Sequence, residues 1–299
     1  MIGRTRTALA AIAVLALVGC GDDRSNDTAA DVGGATVSRD QYEQLLTAIV
    51  ANPEVFGIEE DSATGTVQGD AGRSILEAMI LDVAGKEYLA EEGEAITDAD
   101  RQTAIETIGS QVDTWPAEVA NLIVDRQAGV VAIGRAAASS GEPQARYESS
   151  PADLGVLCVR HILVETEEDA QAVLQELADG ANFAELAAER SIEPAAAESG
   201  GALEAQPGQP CIPLQQAEGA LDPTFLAAAA GAVPGSPIGP VETSFGWHVI
   251  LARPYEEVAS AVESAVGQQL FQEHLATTEI EVDPRYGRWD ALEGTVVPL

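Results

Sequence analysis

Two short apolar runs, each enclosing a histidine, do most to limit what this chain can fold into. They are Arg160-His161-Ile162-Leu163-Val164 and Phe245-Gly246-Trp247-His248-Val249-Ile250. Side chains alternate across a strand, so the first run puts Val159, His161 and Leu163 on one face and Arg160, Ile162 and Val164 on the other. Between the runs, residues 167–178 carry Ala170, Val173, Leu174 and Leu177 at helical spacing, with Gly180 at the end. Residues 182–190 read as a second helix with Phe183, Leu186 and Ala187 inward. Asp222-Pro223 opens a third over 224–230, an N-cap followed by proline at the first helical position, and this helix carries Phe225. Residues 238–243 and 247–253 close the unit as strands joined at Ser244-Phe245-Gly246. That order predicts an α+β unit over residues 155–254, a small antiparallel sheet with packed helices.

The flanks read as helical. Ser38 with Gln41 makes a capping-box start for a helix with Leu45, Leu46 and Ile49 on one stripe. A second helix over 72–91 aligns Ile75, Leu76, Met79, Ile80 and Val83. Thr97 with Asp100 caps a third carrying Ile105, Ile108 and Val112. After a break at Thr114-Trp115-Pro116, a fourth carries Val119, Leu122, Ile123, Val130 and Val131. Asn52-Pro53 and residues 65–72 signal loops, and the small, polar stretch 136–151 reads as a domain boundary. Residues 256–276 are helical again, with Val258, Val262, Val266, Leu270 and Phe271 on one face that needs a partner to cover it. The tail, 281–299, interleaves Arg285, Tyr286, Arg288 and Trp289, suited to cation–π contacts with a partner or to docking on its own protein.

With 299 residues and 46% apolar content, the chain has material for two domains and a packed core. Its formal net charge of −34, with Lys86 as the sole lysine, excludes nucleic acid as a partner, because phosphate binding needs clustered Lys and Arg. Residues 1–20 read as a signal segment: Arg4 and Arg6 precede an apolar stretch, 8–18, too short to span a bilayer. It ends in Leu17-Val18-Gly19-Cys20, which resembles a bacterial lipobox and implies lipidation of Cys20. Residues 21–35 read as a flexible tether, and nothing later reads as a transmembrane segment. An extracytoplasmic chain left with Cys158 and Cys211 invites a disulfide between them, whose long loop would contribute roughly 4 kcal/mol; two free thiols are the alternative, though without Cys-x-x-Cys spacing.

Across 155–254 the chain resembles the parvulin family of peptidyl-prolyl cis/trans isomerases. His161-Ile162-Leu163-Val164, Gly200-Gly201-Ala202-Leu203, Gly239-Pro240-Val241-Glu242-Thr243 and Phe245-Gly246-Trp247-His248-Val249-Ile250 recur in that family's order and spacing. The resemblance implies a catalytic group of His161, His248 and Glu193, the last standing where relatives carry Asp or Cys. It also implies a proline pocket of Leu203, Leu221, Phe225, Thr243 and Phe245. No cofactor or metal is implied. Residues 36–150 loosely resemble the helical chaperone domain of SurA- and PrsA-type foldases. In those proteins a C-terminal helix packs back onto the N-terminal domain, so residues 256–280 are expected to complete an all-helical unit into which the isomerase is inserted.

The chain departs from the family at one loop. The usual Gly-Gly-Asp-Leu-Gly is here Gly200-Gly201-Ala202-Leu203-Glu204, which removes a turn-stabilising carboxylate and a flexible position beside the substrate groove. After the first strand, Glu165-Thr166-Glu167-Glu168-Asp169 is acidic where some relatives are basic, so no phosphopeptide preference is expected. Two functional readings follow. One is a lipid-anchored extracytoplasmic isomerase and chaperone acting on unfolded or newly secreted polypeptides with X-Pro bonds. The other is a client-binding lipoprotein with a degenerate, non-catalytic parvulin domain.

Overall fold

A computed structural model describes residues 27–56, 69–206 and 208–299. The expected signal segment, Cys20 and the first part of the tether lie outside the described residues, as does the first half of the expected 65–72 loop; its second half, 69–72, is helical and opens the helix Gly69–Glu91. In chain order the first half is β1 (Thr28–Val32), β2 (Ala35–Ser38), α1 (Arg39–Val50), α2 (Pro53–Phe56), α3 (Gly69–Glu91), α4 (Asp98–Ile108), α5 (Ala117–Ser140) and α6 (Glu142–Ser149). The second half runs β3 (Val156–Leu157), β4 (Val159–Val164), α7 (Glu167–Ala178), α8 (Phe183–Arg190), α9 (Ala196–Ser199), β5 (Ile212–Pro213), α10 (Leu214–Ala220), α11 (Pro223–Ala230), β6 (Pro237–Thr243) and β7 (Gly246–Ala252). The chain then returns through α12 (Tyr255–Thr277), β8 (Ile280–Val282), β9 (Arg288–Asp290) and β10 (Thr295–Val297).

The flanking unit is helix-rich but not all-helical. β1 pairs antiparallel with β2 on one side and with β8 on the other, so the two ends of the described chain share a sheet. Gly33 and Gly34 close the β1–β2 hairpin at φ of 60° and 96°, values that glycine adopts without a Cβ penalty. The tether reading of 21–35 therefore fails from Thr28 onward: Ala29, Ala30 and Val32 are buried in a core with Val37, Leu45, Leu76, Ile80 and Val296. Small residues suit this strand because α3 packs directly over it. The boundary stretch expected at 136–151 is built largely as helix. α5 continues to Ser140, Gly141 turns left-handed at φ 75°, and α6 restarts with Pro143 in its first turn. Tyr147 on α6 is fully buried, which holds this stretch against the core.

Helix starts follow local chemistry. The Ser38 hydroxyl accepts the Gln41 N–H, and Thr97 and Asp100 form a reciprocal capping box. Where α5 and α12 cross, a Cβ on Gly267 would lie 2.9 Å from the Ile133 carbonyl and 3.1 Å from Gly134 Cα, so the pair of glycines sets how closely the helices approach. The stripe Val258, Val262 and Val266 of α12 is buried there, each residue contributing on the order of 1.5–3 kcal/mol. The tail docks on its own protein: Tyr286 lies 4.8 Å from the Tyr42 ring, and Trp289 packs on the same core.

The α+β unit is the sheet β4-β7-β6, antiparallel throughout, lying between α6 and α12 in sequence. Its register sets His161 opposite Ile250 and Leu163 opposite His248. Alternation then sorts the faces. Ile162, Val164, Val249 and Leu251 pack under α7 and α8, while Val159, Ile250 and Ala252 pack with Phe225 of α11. Both histidines fall on the α11 face.

Candidate active site

Three chain segments converge on that face. After α8, the Ile192 N–H bonds the Leu163 carbonyl and the Ser191 hydroxyl accepts the Leu163 N–H, which fastens the Ser191–Glu193 step to the edge of β4. This carries Glu193 to His161, with Oε2 2.7 Å from Nε2. The carboxylate sits off the N–H axis, so the contact is an ion–dipole approach and not an aligned hydrogen bond.

The glycine pair forms the second segment. The His161 N–H donates to the Gly201 carbonyl at 2.8 Å, and the Leu203 N–H to the Val159 carbonyl at 3.0 Å. A Cβ on Gly201, at φ 77°, would stand 2.3 Å from the His161 carbonyl oxygen, so only glycine lets the loop lie on the strand. Leu203 is thereby brought to the site. The third segment is α11. The Asp222 carboxylate caps it by accepting the Thr224 and Phe225 N–H groups, and the helix start turns Phe225 inward, 3% exposed. Its ring stands edge-on to both imidazoles, with centroids 5.3 Å from His161 and 5.0 Å from His248.

The two histidines meet through Nδ1 atoms 3.3 Å apart, and the His248 Nε2 is 2.8 Å from the Thr243 hydroxyl. One assignment satisfies the chain of contacts. His161 keeps its proton on Nε2, facing Glu193, so its Nδ1 accepts from His248; the His248 Nε2 then accepts from Thr243. Burial disfavours charge on both rings. It lowers His161 below the ordinary histidine value, with Glu193 opposing. It lowers His248 to about 4, helped by the neighbouring His161 and opposed by Asp222. Both rings are neutral at pH 7.

Above them opens a cavity of about 230 Å³ lined by Phe225, Leu221, Leu203, Leu163, Ala220 and Phe245, with His161, His248, Glu193 and Asp222. Of the residues singled out by sequence, His161, His248, Glu193, Leu203, Leu221, Phe225 and Phe245 come together here. Phe245 stands at the mouth, 68% exposed. Thr243 differs: it does not line the cavity but lies behind His248 and holds its tautomer. The 205–219 segment stays clear of the hollow, as none of the described residues within it lines the wall; it forms β5, which pairs with β3, and most of α10. Cys211 just before β5 is disulfide-bonded to Cys158, among α12 side chains.

Sequence reading missed the wall residues Leu163, Ala220 and Asp222 and the supporting Arg160. Asp222 was legible as a helix cap but not as cavity wall. Arg160, on the opposite face of β4 from His161, donates to the Ser199 and Gly200 carbonyls at 3.1 and 3.2 Å and pairs with Glu257 of α12. Its partners lie 39 to 97 residues away, so no local pattern announces them.

The family model described as Rotamase, PPIC-type PPIASE domain, matches residues 161–253. A Foldase protein PrsA of Caldanaerobacter subterraneus is 33% identical over 123 residues, 40% of this chain and 37% of that protein. A Parvulin-like PPIase of Rickettsia prowazekii is 30% identical over 137 residues, 42% of this chain and 45% of that protein. The chain thus spans less than half the length of these curated relatives. The crystal structure of PrsA from Bacillus subtilis overlays 83% of this chain and 91% of that one, at 19% identity and a TM-score of 0.29. Residues 161–253 are a PPIC-type peptidyl-prolyl isomerase domain of the parvulin family, carried by a chain related to the PrsA-type foldases.

Proposed function

We propose that the protein is an extracytoplasmic peptidyl-prolyl cis/trans isomerase that assists the folding of secreted polypeptides, held at the membrane by a lipid on Cys20. The observation that carries this reading is the open cavity over two neutral imidazoles, walled by Phe225, Leu203 and Leu221 and left free by the chain's own 205–219 loop. Rotation about an X-Pro bond meets a barrier of about 18–20 kcal/mol, and lowering it by about 4 kcal/mol accelerates it roughly a thousandfold. No covalent step is needed. The planar amide is held by charge-separated resonance, which the twisted form lacks. An apolar wall that grips the proline ring and strips water from the preceding carbonyl therefore binds the twisted form better than the planar one. The neutral histidine pair supplies a floor that does not solvate the carbonyl as a cation would, and Glu193 sets polarity at its edge.

Exchange between cis and trans forms of an Ala-Pro peptide tests this, with Phe225→Ala expected to remove the acceleration while the far-ultraviolet circular dichroism is kept. A wild-type chain that leaves the exchange rate unchanged refutes the catalytic reading. The replacement of the family's loop aspartate by Ala202 favours the alternative, a client-binding chaperone without catalysis, and aggregation suppression without any rate enhancement would establish it.

A further inference from the structure

The cavity carries a charge pattern beyond what gripping proline requires, and the inference drawn from it rests on the isomerase reading above. Of the ten residues lining the hollow, two are carboxylates, Glu193 and Asp222, and none is lysine or arginine. The two histidines beside them are neutral at pH 7, because burial pushes both below the ordinary value. Arg160, next to His161, points to the other face of the sheet, committed to Ser199, Gly200 and Glu257, and Arg190, three residues before Glu193, pairs with Glu176. Among the described residues no lysine or arginine pairs with either carboxylate. Within that set Glu193 meets only the His161 ring and keeps a side chain 38% exposed. Asp222 spends one oxygen on the α11 cap. Glu165 after β4 and the opening residues of α7, Glu167, Glu168 and Asp169, add four exposed acids at the end of the strand where Phe245 stands. A cleft with low-dielectric walls concentrates such a field at its mouth.

We infer that the cavity selects X-Pro segments whose residue before the proline is basic. That residue's carbonyl is the one that rotates over His161, so its side chain emerges beside Glu193 and Asp222. A lysine or arginine supplies the missing counter-charge, and an acidic residue is repelled. Two partly exposed charges swung from attraction to repulsion give a preference of about tenfold between Arg-Pro and Glu-Pro.

The test uses the full chain and peptides Ala-Xaa-Pro-Phe with Xaa Arg, Leu or Glu, followed by exchange spectroscopy for turnover and by titration for affinity, at low and at high salt. The expected order in both readouts is Arg, then Leu, then Glu, with a spread of about tenfold at low salt that collapses at high salt. The ratio of Arg to Leu within each protein, which is independent of overall activity, is expected to fall about threefold in Asp222→Asn, an equally good helix cap, and in Glu193→Gln. Equal turnover and equal affinity for the three peptides overturn the inference and leave the isomerase reading standing. Absent turnover on all three with the same order of affinities does the reverse: it removes the isomerase and keeps the charge selection.

Discussion

Lowering the pH should unsettle the site through His248 before it affects most of the rest of the protein. The His248 ring falls from 6.5 to about 4 on folding, first because burial strips its water and then because His161 stands beside it. Such a shift corresponds to about 3 kcal/mol if carried in full. The ring edge faces an open cavity, so screening by water leaves about 2 kcal/mol. The sign follows from the direction. A histidine depressed on folding binds its proton better when unfolded, so its stabilising contribution is complete above pH 6.5. It declines as pH drops toward about 4 and is constant below that. His161 is lowered as well, and with Nδ1 atoms 3.3 Å apart the pair accepts its first proton as a unit. Other groups titrate in the same solution. Asp283 is held at about 2 by Arg285, Asp82 is raised by burial, and acid relieves the repulsion among the chain's many carboxylates. The measurement is therefore a difference: urea unfolding of the wild type and of His248→Asn at stepped pH from 7.5 to 4. The wild type should lose about 2 kcal/mol more than the variant across that range. Parallel curves would refute the claim that burial of a neutral histidine pair underlies the site's acid sensitivity.

Further expectations concern the segments that shape the cavity. Replacing Cys211 by Ser opens a loop with a sequence separation of 53 and should cost up to about 4 kcal/mol in denaturant unfolding. The wild type should behave alike under reductant, and mass spectrometry showing free thiols on both cysteines would sink the bridge. Gly201→Ala must relieve a 2.3 Å approach to the His161 carbonyl at a left-handed backbone position, so a loss of about 2–3 kcal/mol and of peptide turnover is expected, read by thermal unfolding and exchange rate. Tyr147→Phe removes the buried hydrogen bond to the Arg253 carbonyl and should lower stability by about 1–2 kcal/mol with turnover intact; an unchanged midpoint would show that water replaces the hydroxyl.

What was legible in the sequence followed local rules. α7 runs over the residues its apolar spacing predicts, and α8 begins just after Asn182, whose side chain accepts the Ala184 and Glu185 N–H groups. The strand period sorted His161 from Ile162 and the Asp222-Pro223 start opened the helix that carries Phe225, while the register that sets His248 on the same face came only with the fold. What was not legible rests on distant partners. Thr28–Val32 has no alternation and little β propensity, and it becomes a strand because Ala30 pairs with Val282 at the far end of the chain. Residues 136–151 are small and polar enough to resemble a linker, yet α6 is fixed by buried Pro143 and the fully buried Tyr147. Composition reports the average of such a stretch and is blind to the few side chains that hold it.

The same distinction accounts for the altered glycine loop. Ala202 places no carboxylate at the centre of the Gly200–Glu204 motif. The polar support comes instead from outside the loop. Arg160 reaches across from β4 to the carbonyls of Ser199 and Gly200, and its charge is balanced by Glu257 of α12. Glu257 also pairs with Arg253, whose own carbonyl accepts the Tyr147 hydroxyl and whose N–H donates to the Cys158 carbonyl beside the disulfide. A loop without a carboxylate at its centre is thus held by a strand and by the helix that returns to the flanking unit. The inserted unit and the helical unit are tied at the residue next to His161, and the Gly200 carbonyl, which the motif leaves open, gains the Arg160 guanidinium as its donor.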